Sequence, residues 1–292
     1  MSKFLMKPKI DFAFKEIMED KKARTGFLSA ILKLNPDDIR ETTILNTNLR
    51  KIHKEDKQGI LDVRILMNDD TEIDIEIQLA ELKVWADRSL FYMSKMYADQ
   101  IQAGENYTKF KKSVSISILN FNLFPDNLKN TQNTSNKNKI PDDEFYSCFH
   151  IREDNHHFLY TDKMEFHVIE LPKLPKELKE NNTDVLLWAK FINAEREEEF
   201  QMLASKNTYI DSAYERLQVI SQDKQKQLEY EARQKAILDY NQMVLEATEK
   251  GFEQGIESVA KKLIIANYPT STIVELTDIP ANVIEEMKKN LQ

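Results

Sequence analysis

Apolar and polar residues alternate along residues 71–81, TEIDIEIQLAE, where isoleucine and leucine take turns with Asp74, Glu76 and Gln78. Successive side chains of a β-strand point to opposite faces, so this alternation predicts a half-buried strand. The preceding residues 61–70, LDVRILMNDD, alternate in the same way and end in a turn-forming Asn-Asp-Asp run. Together the two segments predict a β-hairpin.

The pattern elsewhere switches between helical spacing and strand-forming runs. Residues 11–34 predict one or two amphipathic helices broken near Thr25-Gly26, and residues 84–104 predict another that stops at Gly104. Three further runs are typical of strands: SVSISILNFNLF, FYSCFHI and KMEFHVIEL. This order of strands and helices predicts an α/β fold, with a central mixed sheet flanked by helices and followed by an α-helical C-terminal region.

The composition predicts three segments. Residues 1–182 form the core, with a mobile Asn-rich surface loop over 125–143. Residues 183–250 are a long charged helical segment, and residues 251–292 are a small tail of three short helices. The apolar positions of the helical segment allow two interpretations. In one, the helices pack on the core or on each other; in the other, the C-terminal helices form a homodimer.

The tail could also be a helix-turn-helix. Its last helix, however, carries Glu285 and Glu286, where a helix that reads DNA bases would carry Arg, Lys, Asn or Gln. We therefore expect a packing or self-association module.

The composition of the chain narrows the classes of function that it can have. Only five glycines occur among 292 residues, and no phosphate-binding glycine loop is present, which excludes P-loop and dinucleotide chemistry. The single cysteine, Cys148, rules out an intrachain disulfide and a multi-thiolate cluster, and we expect it to be buried. The five histidines match no metal-binding spacing, so a histidine metal site is not expected. No secretory signal or membrane span is apparent, which predicts a cytoplasmic protein without a membrane partner.

The charge is unevenly distributed. The net charge is −8, but the first 120 residues hold 20 basic and 19 acidic residues, whereas the remaining 172 hold 21 and 30. The acidity therefore lies in the second half, and the first half can still offer a local basic surface to nucleic acid.

The hairpin brings candidate chemistry together. Asp62 lies opposite the apolar face of its strand, and pairing around the turn would bring it to Glu76 on one side of the sheet. Two carboxylates that meet there repel each other unless a cation lies between them, and Mg²⁺ prefers such oxygen ligands. On spacing alone, an ordinary solvated strand face is the alternative, and we expect Asp74, one step nearer the turn, to be solvated.

The residues of this hairpin and those on either side of it match known sequence motifs. Asp62, Glu76 and Gln78 resemble the PD-(D/E)xK nuclease motif, with Gln in place of the usual Lys. The flanking residues match an opening Asp-x-x-Phe-Lys element, an Arg-x3-Tyr helix with a later Gln and Gly-x2-Tyr, and an IEL-x-K segment within FHVIELPKL. The residues that match these elements are Asp11, Phe14, Lys15, Arg88, Tyr92, Gln100, Gly104 and Tyr107. Through them, residues 7–180 resemble the Rpn family, the recombination-promoting nucleases and transposases of that superfamily.

The resemblance implies a restriction-endonuclease-like core and Mg²⁺-dependent cleavage of DNA, with Mn²⁺ or Ca²⁺ as substitutes. It also implies a link to recombination, mobile elements or defence. Asp62, Glu76 and the backbone carbonyl of Ile77 would be metal ligands. Gln78 would act in catalysis, more slowly than Lys because an amide carries no charge.

The remaining expectations concern the surroundings of these residues. Asp11 is either a further catalytic residue or a helix-start residue. DNA phosphates would be bound by a set of basic and amide side chains: Lys15, Arg88, Gln100, Lys109, Lys111 and Lys112. An inactive descendant that serves as a DNA-binding or protein-interaction module is the alternative function.

Overall fold

The computed structural model describes residues 4–47, 61–124 and 143–291. Within these ranges six strands form one mixed sheet in the order β1-β2-β3-β4-β6-β5. The pairs β3–β4 and β4–β6 are parallel, and the other three pairs are antiparallel. The strands are β1 (Thr42–Leu45), β2 (Val63–Met67), β3 (Glu72–Gln78), β4 (Ser113–Leu119), β5 (Tyr146–Arg152) and β6 (Leu159–Glu170).

Helices flank this sheet and continue beyond it, which confirms the predicted fold class. The α-helices in the described ranges are α1 (Asp11–Met18), α2 (Lys21–Leu32), α3 (Trp85–Ala98), α4 (Asp184–Asn193), α5 (Glu197–Ala204), α6 (Thr208–Gln222), α7 (Lys224–Ile265), α8 (Thr270–Thr277) and α9 (Ala281–Asn290). Short 3₁₀ turns lie at Pro36–Asp38, Tyr107–Lys109 and Leu171–Lys173.

The predicted hairpin is present as β2 and β3. Val63 pairs with Ile75 and Ile65 pairs with Ile73 in antiparallel register. The turn closes at Asp70, whose φ of 65° is left-handed, a conformation that Asp tolerates better than most residues. The hairpin therefore has the strand pairing that the sequence pattern requires.

Helix α3 covers the face of the sheet that carries the acidic residues. Residues opposite each other in register share a face, so Glu76 lies on the same side as its partner Ser117. The indole of Trp85, at the start of α3, donates a hydrogen bond to the Ser117 hydroxyl at 3.0 Å. Both faces of β3 are consequently buried, whereas the sequence predicted one solvated face.

The first helical region breaks at a different place from the one predicted. The chain leaves α1 at Glu19 and starts α2 at Lys21, where the Asp20 side chain accepts a hydrogen bond from the Ala23 amide at 2.7 Å and caps the helix. Gly26 lies inside α2, where α6 passes so closely that a Cβ atom at Gly26 would overlap Tyr209. The glycine therefore serves helix packing and does not end a helix.

The chain forms two compact units, Met1–Arg233 and Gln234–Gln292. In the first unit α6 packs on α1, α2 and α5, and α2 also packs on α4. In the second, Ala260, Ile273 and Ile284 form a small core between the end of α7 and the two short helices. Three helices are present in the tail, as predicted, but the first of them is the end of the 42-residue α7 and not a separate short helix.

Further expectations concern the division of the chain, the Asn-rich loop, Cys148 and membrane-spanning helices. The predicted division at residues 182 and 250 stays a prediction, and the loop over 125–143 lies, except for Asp143, outside the described residues. Cys148 is exposed, not buried, because it lies on the edge strand β5. Of the helices described, none combines the length and apolar character needed to cross a membrane.

Candidate active site

Asp62 immediately precedes β2, where it continues the strand pairing with its side chain. Its Oδ2 accepts a hydrogen bond from the Ile77 amide at 3.0 Å. The ladder between β2 and β3 ends at Val63 and Ile75, so this carboxylate takes the place of the backbone carbonyl that would otherwise accept from the Ile77 amide. The hydrogen bond fixes Asp62 against the strand that carries Glu76.

Two further carboxyl groups lie on the same face of β3. Asp74 is 2% exposed and Glu76 is 4% exposed. Asp74 Oδ1 and Glu76 Oε1 are both buried, and neither accepts a hydrogen bond within the described part of the chain. The prediction that Asp74 is solvated is therefore wrong, because α3 covers the strand face that the sequence alone assigned to water.

Burial raises the pKa of all three carboxyl groups. The pKa of Asp62 rises to about 6, because burial and the charge of Asp11 outweigh the opposing Ile77 amide and two arginines. The pKa of Glu76 rises to about 8 through burial and through repulsion from Asp62, and the positive charge of Arg88 partly offsets this rise. The pKa of Asp74 is raised through burial and through repulsion from Glu76 and Asp62. The three acids thus form one mutually repelling cluster.

Arg88 on α3 is the cation nearest to Glu76. Its Nε lies 3.6 Å from Glu76 Oε2, and its guanidinium packs over the rings of Tyr92 and Trp85 at 4.8 and 5.8 Å. The Arg88 side chain is 38% exposed, so it connects the buried carboxylates to the surface. It can both brace Glu76 and offer charge to a phosphate.

Asp11 lies close enough to Asp62 to raise the pKa of Asp62. Asp11 also has an ion-pair partner of its own. Arg233 on α7 forms an ion pair with Asp11, in which Nε donates to Asp11 Oδ1 at 2.8 Å. Asp11 is also the first residue of α1, so its catalytic and helix-start interpretations are both compatible with its position. No sequence motif indicated Arg233, which lies 222 residues away in a charged helix.

The two predicted glutamines hold backbone and hydroxyl groups. Gln78 Nε2 donates to the Ala80 carbonyl at 2.9 Å, which orients the side chain at the end of β3. Gln100 Nε2 donates to Ser113 Oγ and its Oε1 accepts from the Lys111 amide, both at 2.8 Å. Gln100 therefore braces the start of β4, and the structure does not bring it to the carboxylates.

The predicted phosphate-binding lysines fall into two groups. Lys15 is exposed on α1. Lys109, Lys111 and Lys112 each pair with a carboxylate, on Glu105, Asp70 and Glu165 respectively. The three lie before β4, at the opposite end of the parallel strands from Gln78. Lys112 is five residues before Ser117, the partner of Glu76, or roughly 16 Å along an extended chain.

The ion pair with Lys112 changes the pKa of its partner Glu165. Burial opposes ionisation of Glu165, but the close approach of His167 and Lys112 outweighs it and lowers the pKa of this carboxyl group to about 2. Lys112 is thus already engaged with a charged group on the opposite side of the sheet from Glu76.

The donor set at the hairpin fits a hard divalent cation. The groups that converge there are carboxylate oxygens, which Mg²⁺ prefers over sulfur or nitrogen. Two of these oxygens are buried without a hydrogen-bond donor in the described residues, and a buried carboxylate normally has one. An ion held by Asp62 and Glu76 would give Glu76 Oε1 a partner and relieve the repulsion between the carboxylates.

Comparison with known protein families identifies the class. The mixed sheet flanked by helices agrees with a restriction-endonuclease-like fold. The model of the PD-(D/E)XK nuclease family transposase matches residues 8–247, which is well over half of the chain, so the protein belongs to that family. The match extends beyond residues 7–180, the part of the chain that carries the sequence motifs. No curated protein and no solved structure matches the chain significantly.

Proposed function

We propose that this protein is an Mg²⁺-dependent endonuclease that hydrolyses DNA phosphodiester bonds. The observation that carries the proposal is the buried cluster of Asp62, Asp74 and Glu76, in which two carboxylate oxygens are unsatisfied and all three pKa values are raised. Such perturbed groups concentrate at functional sites. Membership of the nuclease family supports the same reaction class.

In this proposal Asp62, Glu76 and the Ile77 carbonyl would hold the ion, and Asp74, two residues before Glu76 on the same strand face, would add negative charge nearby. When bound, Mg²⁺ supplies the Lewis acidity that polarises a phosphodiester. The Ile77 amide keeps Asp62 in place for binding. Arg88, which reaches from Glu76 to the surface, offers its guanidinium to the phosphate that enters.

Gln78 replaces the lysine of the superfamily motif and must act without charge. Because Nε2 is held by the Ala80 carbonyl, the amide oxygen is the atom that would accept a hydrogen bond from water. It can orient water but cannot stabilise a developing negative charge as an ammonium does. Slow cleavage is the expected consequence.

DNA binding would rest first on Lys15 and Arg88. Lys15 is exposed, and Arg88 lies 3.6 Å from Glu76. The lysines before β4, and Gln100 with them, are already engaged with protein groups and would have to exchange partners to contact a phosphate. We infer that these four residues add less to binding.

A plasmid assay tests the proposal. We expect the full-length protein to nick supercoiled DNA with Mg²⁺, to stop with a chelator, and to lose about 100-fold or more of its rate in Asp62→Asn and Glu76→Gln. Glu81→Gln, which changes an exposed acid just beyond β3, is the matched control and should cut normally.

Equal cleavage by parent and substituted proteins would overturn the proposal. DNA binding without cleavage by the parent protein would favour the alternative, an inactive nuclease fold that serves as a binding module. A link to recombination or to mobile elements is part of the proposal. It predicts that expression of the parent chain, but not of Glu76→Gln, raises recombination frequency in a marker assay.

A further inference from the structure

A second group of metal-binding side chains lies on the opposite face of the sheet from the carboxylate cluster. In the antiparallel pair of β5 and β6, Cys148 is opposite His167 and His150 is opposite Glu165, so all four share one face. On β4 the partners of Glu165 and His167 are Val114 and Ile116, not the serines that lie beside Asp74 and Glu76. Strand alternation therefore separates the two groups by the thickness of the sheet.

Three of these side chains converge on one point. Cys148 Sγ lies 3.9 Å from His150 Nδ1 and 3.9 Å from Glu165 Oε1, and His150 Nε2 lies 3.2 Å from Glu165 Oε2. One ligand atom from each residue can be chosen so that all lie within 4.8 Å of one another. Ligands at the bond lengths of a tetrahedral Zn²⁺ site are separated by about 3.3–3.8 Å, so small side-chain adjustments would suffice.

The donor types select the class of metal. A thiol and an imidazole are soft or intermediate donors, which favour Zn²⁺ and related transition metals over Mg²⁺. Cys148 is exposed on the edge strand, so an ion can reach the group from solvent. The carboxylate cluster on the other face contains only hard oxygen donors and has the opposite preference.

A buried histidine supports the carboxylate of this group. His167 is 2% exposed, and its Nε2 lies 2.7 Å from Glu165 Oε1 without a hydrogen bond of good geometry. Its Nδ1 lies 2.8 Å from the Tyr146 hydroxyl, which donates to the Ile31 carbonyl at 3.0 Å. A chain of this kind behind a ligand fixes its orientation and is typical of metal sites.

From these contacts we propose that Cys148, His150 and Glu165 bind one Zn²⁺ ion. Lys112 pairs with Glu165 in the metal-free chain and competes with the ion for this carboxylate. The bound ion would cross-link the edge strand β5 to β6. Sequence spacing could not indicate the site, because its ligands come from two antiparallel strands and match no local motif.

A competition titration of the full-length chain with Zn²⁺ and a chromophoric chelator tests the site. We expect one Zn²⁺ per chain in the presence of excess Mg²⁺, with affinity about tenfold or more weaker in Cys148→Ser and His150→Gln. His156→Gln removes an exposed histidine of the β5–β6 turn and should bind normally. Lys112→Met should bind more tightly, because the competing cation is removed.

Two readouts separate this site from the nuclease site and from misfolding. Glu76→Gln should retain Zn²⁺ binding, and circular dichroism should be unchanged in every variant. Co²⁺ in place of Zn²⁺ should give a thiolate charge-transfer absorption that Cys148→Ser lacks. Binding that is equal in Cys148→Ser and the parent chain, that is lost in Glu76→Gln, or that is absent altogether would overturn the proposal.

Discussion

Glu76 lies beside two further carboxyl groups and one arginine, and burial raises its pKa to about 8. Its strand position follows from the alternation of TEIDIEIQLAE, and so does that of Asp62 on the neighbouring strand. The sequence did not reveal that Asp74 is buried with them, because the covering helix α3 begins seven residues beyond β3. Nor could it reveal Arg233, whose contact with Asp11 depends on the whole fold.

Asp74 provides a direct test of the buried cluster. Asp74→Asn keeps the size of the side chain but removes its charge, so we expect Mg²⁺ affinity and DNA cleavage to fall by about tenfold. Asp70→Asn, in the exposed hairpin turn, changes the same residue type where Asn also tolerates a left-handed φ. If both variants behave like the parent chain, Asp74 takes no part in ion binding.

The raised pKa values predict an unusual dependence of stability on pH. Folding moves the pKa of Glu76 from 4.5 to about 8, so between these values the folded metal-free chain binds more protons than the unfolded chain. Its free energy of unfolding therefore falls as pH rises through this window. Glu76→Gln removes the effect and should be the more stable chain at pH 9.

Denaturant unfolding in the presence of a chelator measures this difference. We expect the advantage of Glu76→Gln over the parent chain to grow by on the order of 4 kcal/mol from pH 5 to pH 9. The comparison cancels groups that titrate in both proteins. An advantage that is the same at both pH values would show that the Glu76 pKa is not raised by folding.

At the scale of elements, the strands were easier to predict than the helix ends. The β2–β3 hairpin followed from alternation and a turn-forming run, both of which are local signals. The helix from residue 84 ends at Ala98, well before Gly104, whose left-handed φ of 87° lies in the following loop. The sequence predicts the break between α1 and α2 near Thr25-Gly26, because a glycine required by a distant helix resembles a glycine that ends a helix.

Gly26 therefore tests how α2 and α6 pack. Gly26→Ala would place a methyl group against the Cβ of Tyr209, and we expect it to destabilise the fold by about 3 kcal/mol. Gly251→Ala, in open space on α7, is the control and should be neutral or stabilising by up to about 1 kcal/mol. Thermal unfolding of both variants measures the contrast, and equal stabilities would refute the close approach of the two helices.

At the scale of the whole molecule, the class of fold and the family could be predicted because several motifs agreed along the chain. The oligomeric state could not be predicted, since a helical segment with apolar positions can pack on its own core or on a second copy. In the second compact unit, exposed apolar side chains recur every seven residues along α7, at Leu238, Leu245, Phe252 and Val259. A stripe of this spacing is typical of helices that pair.

We predict that the protein is a homodimer through this stripe. Light scattering coupled to size-exclusion chromatography should give twice the chain mass of 34.3 kDa. Leu245→Glu should shift the mass towards the monomer, because it places a charge within the apolar stripe, whereas Glu246→Gln on the neighbouring position should not. A parent chain that is monomeric at every concentration would contradict the prediction.

The most direct test of the account is a calorimetric titration of the metal-free chain with Mg²⁺. If Asp62 and Glu76 hold a common ion, the parent chain and the exposed-site control Glu81→Gln will bind one Mg²⁺ per chain, while Asp62→Asn and Glu76→Gln will bind none. Binding that persists in both substituted chains, or no binding by the parent chain, would contradict the central claim that these buried carboxylates form a divalent metal site.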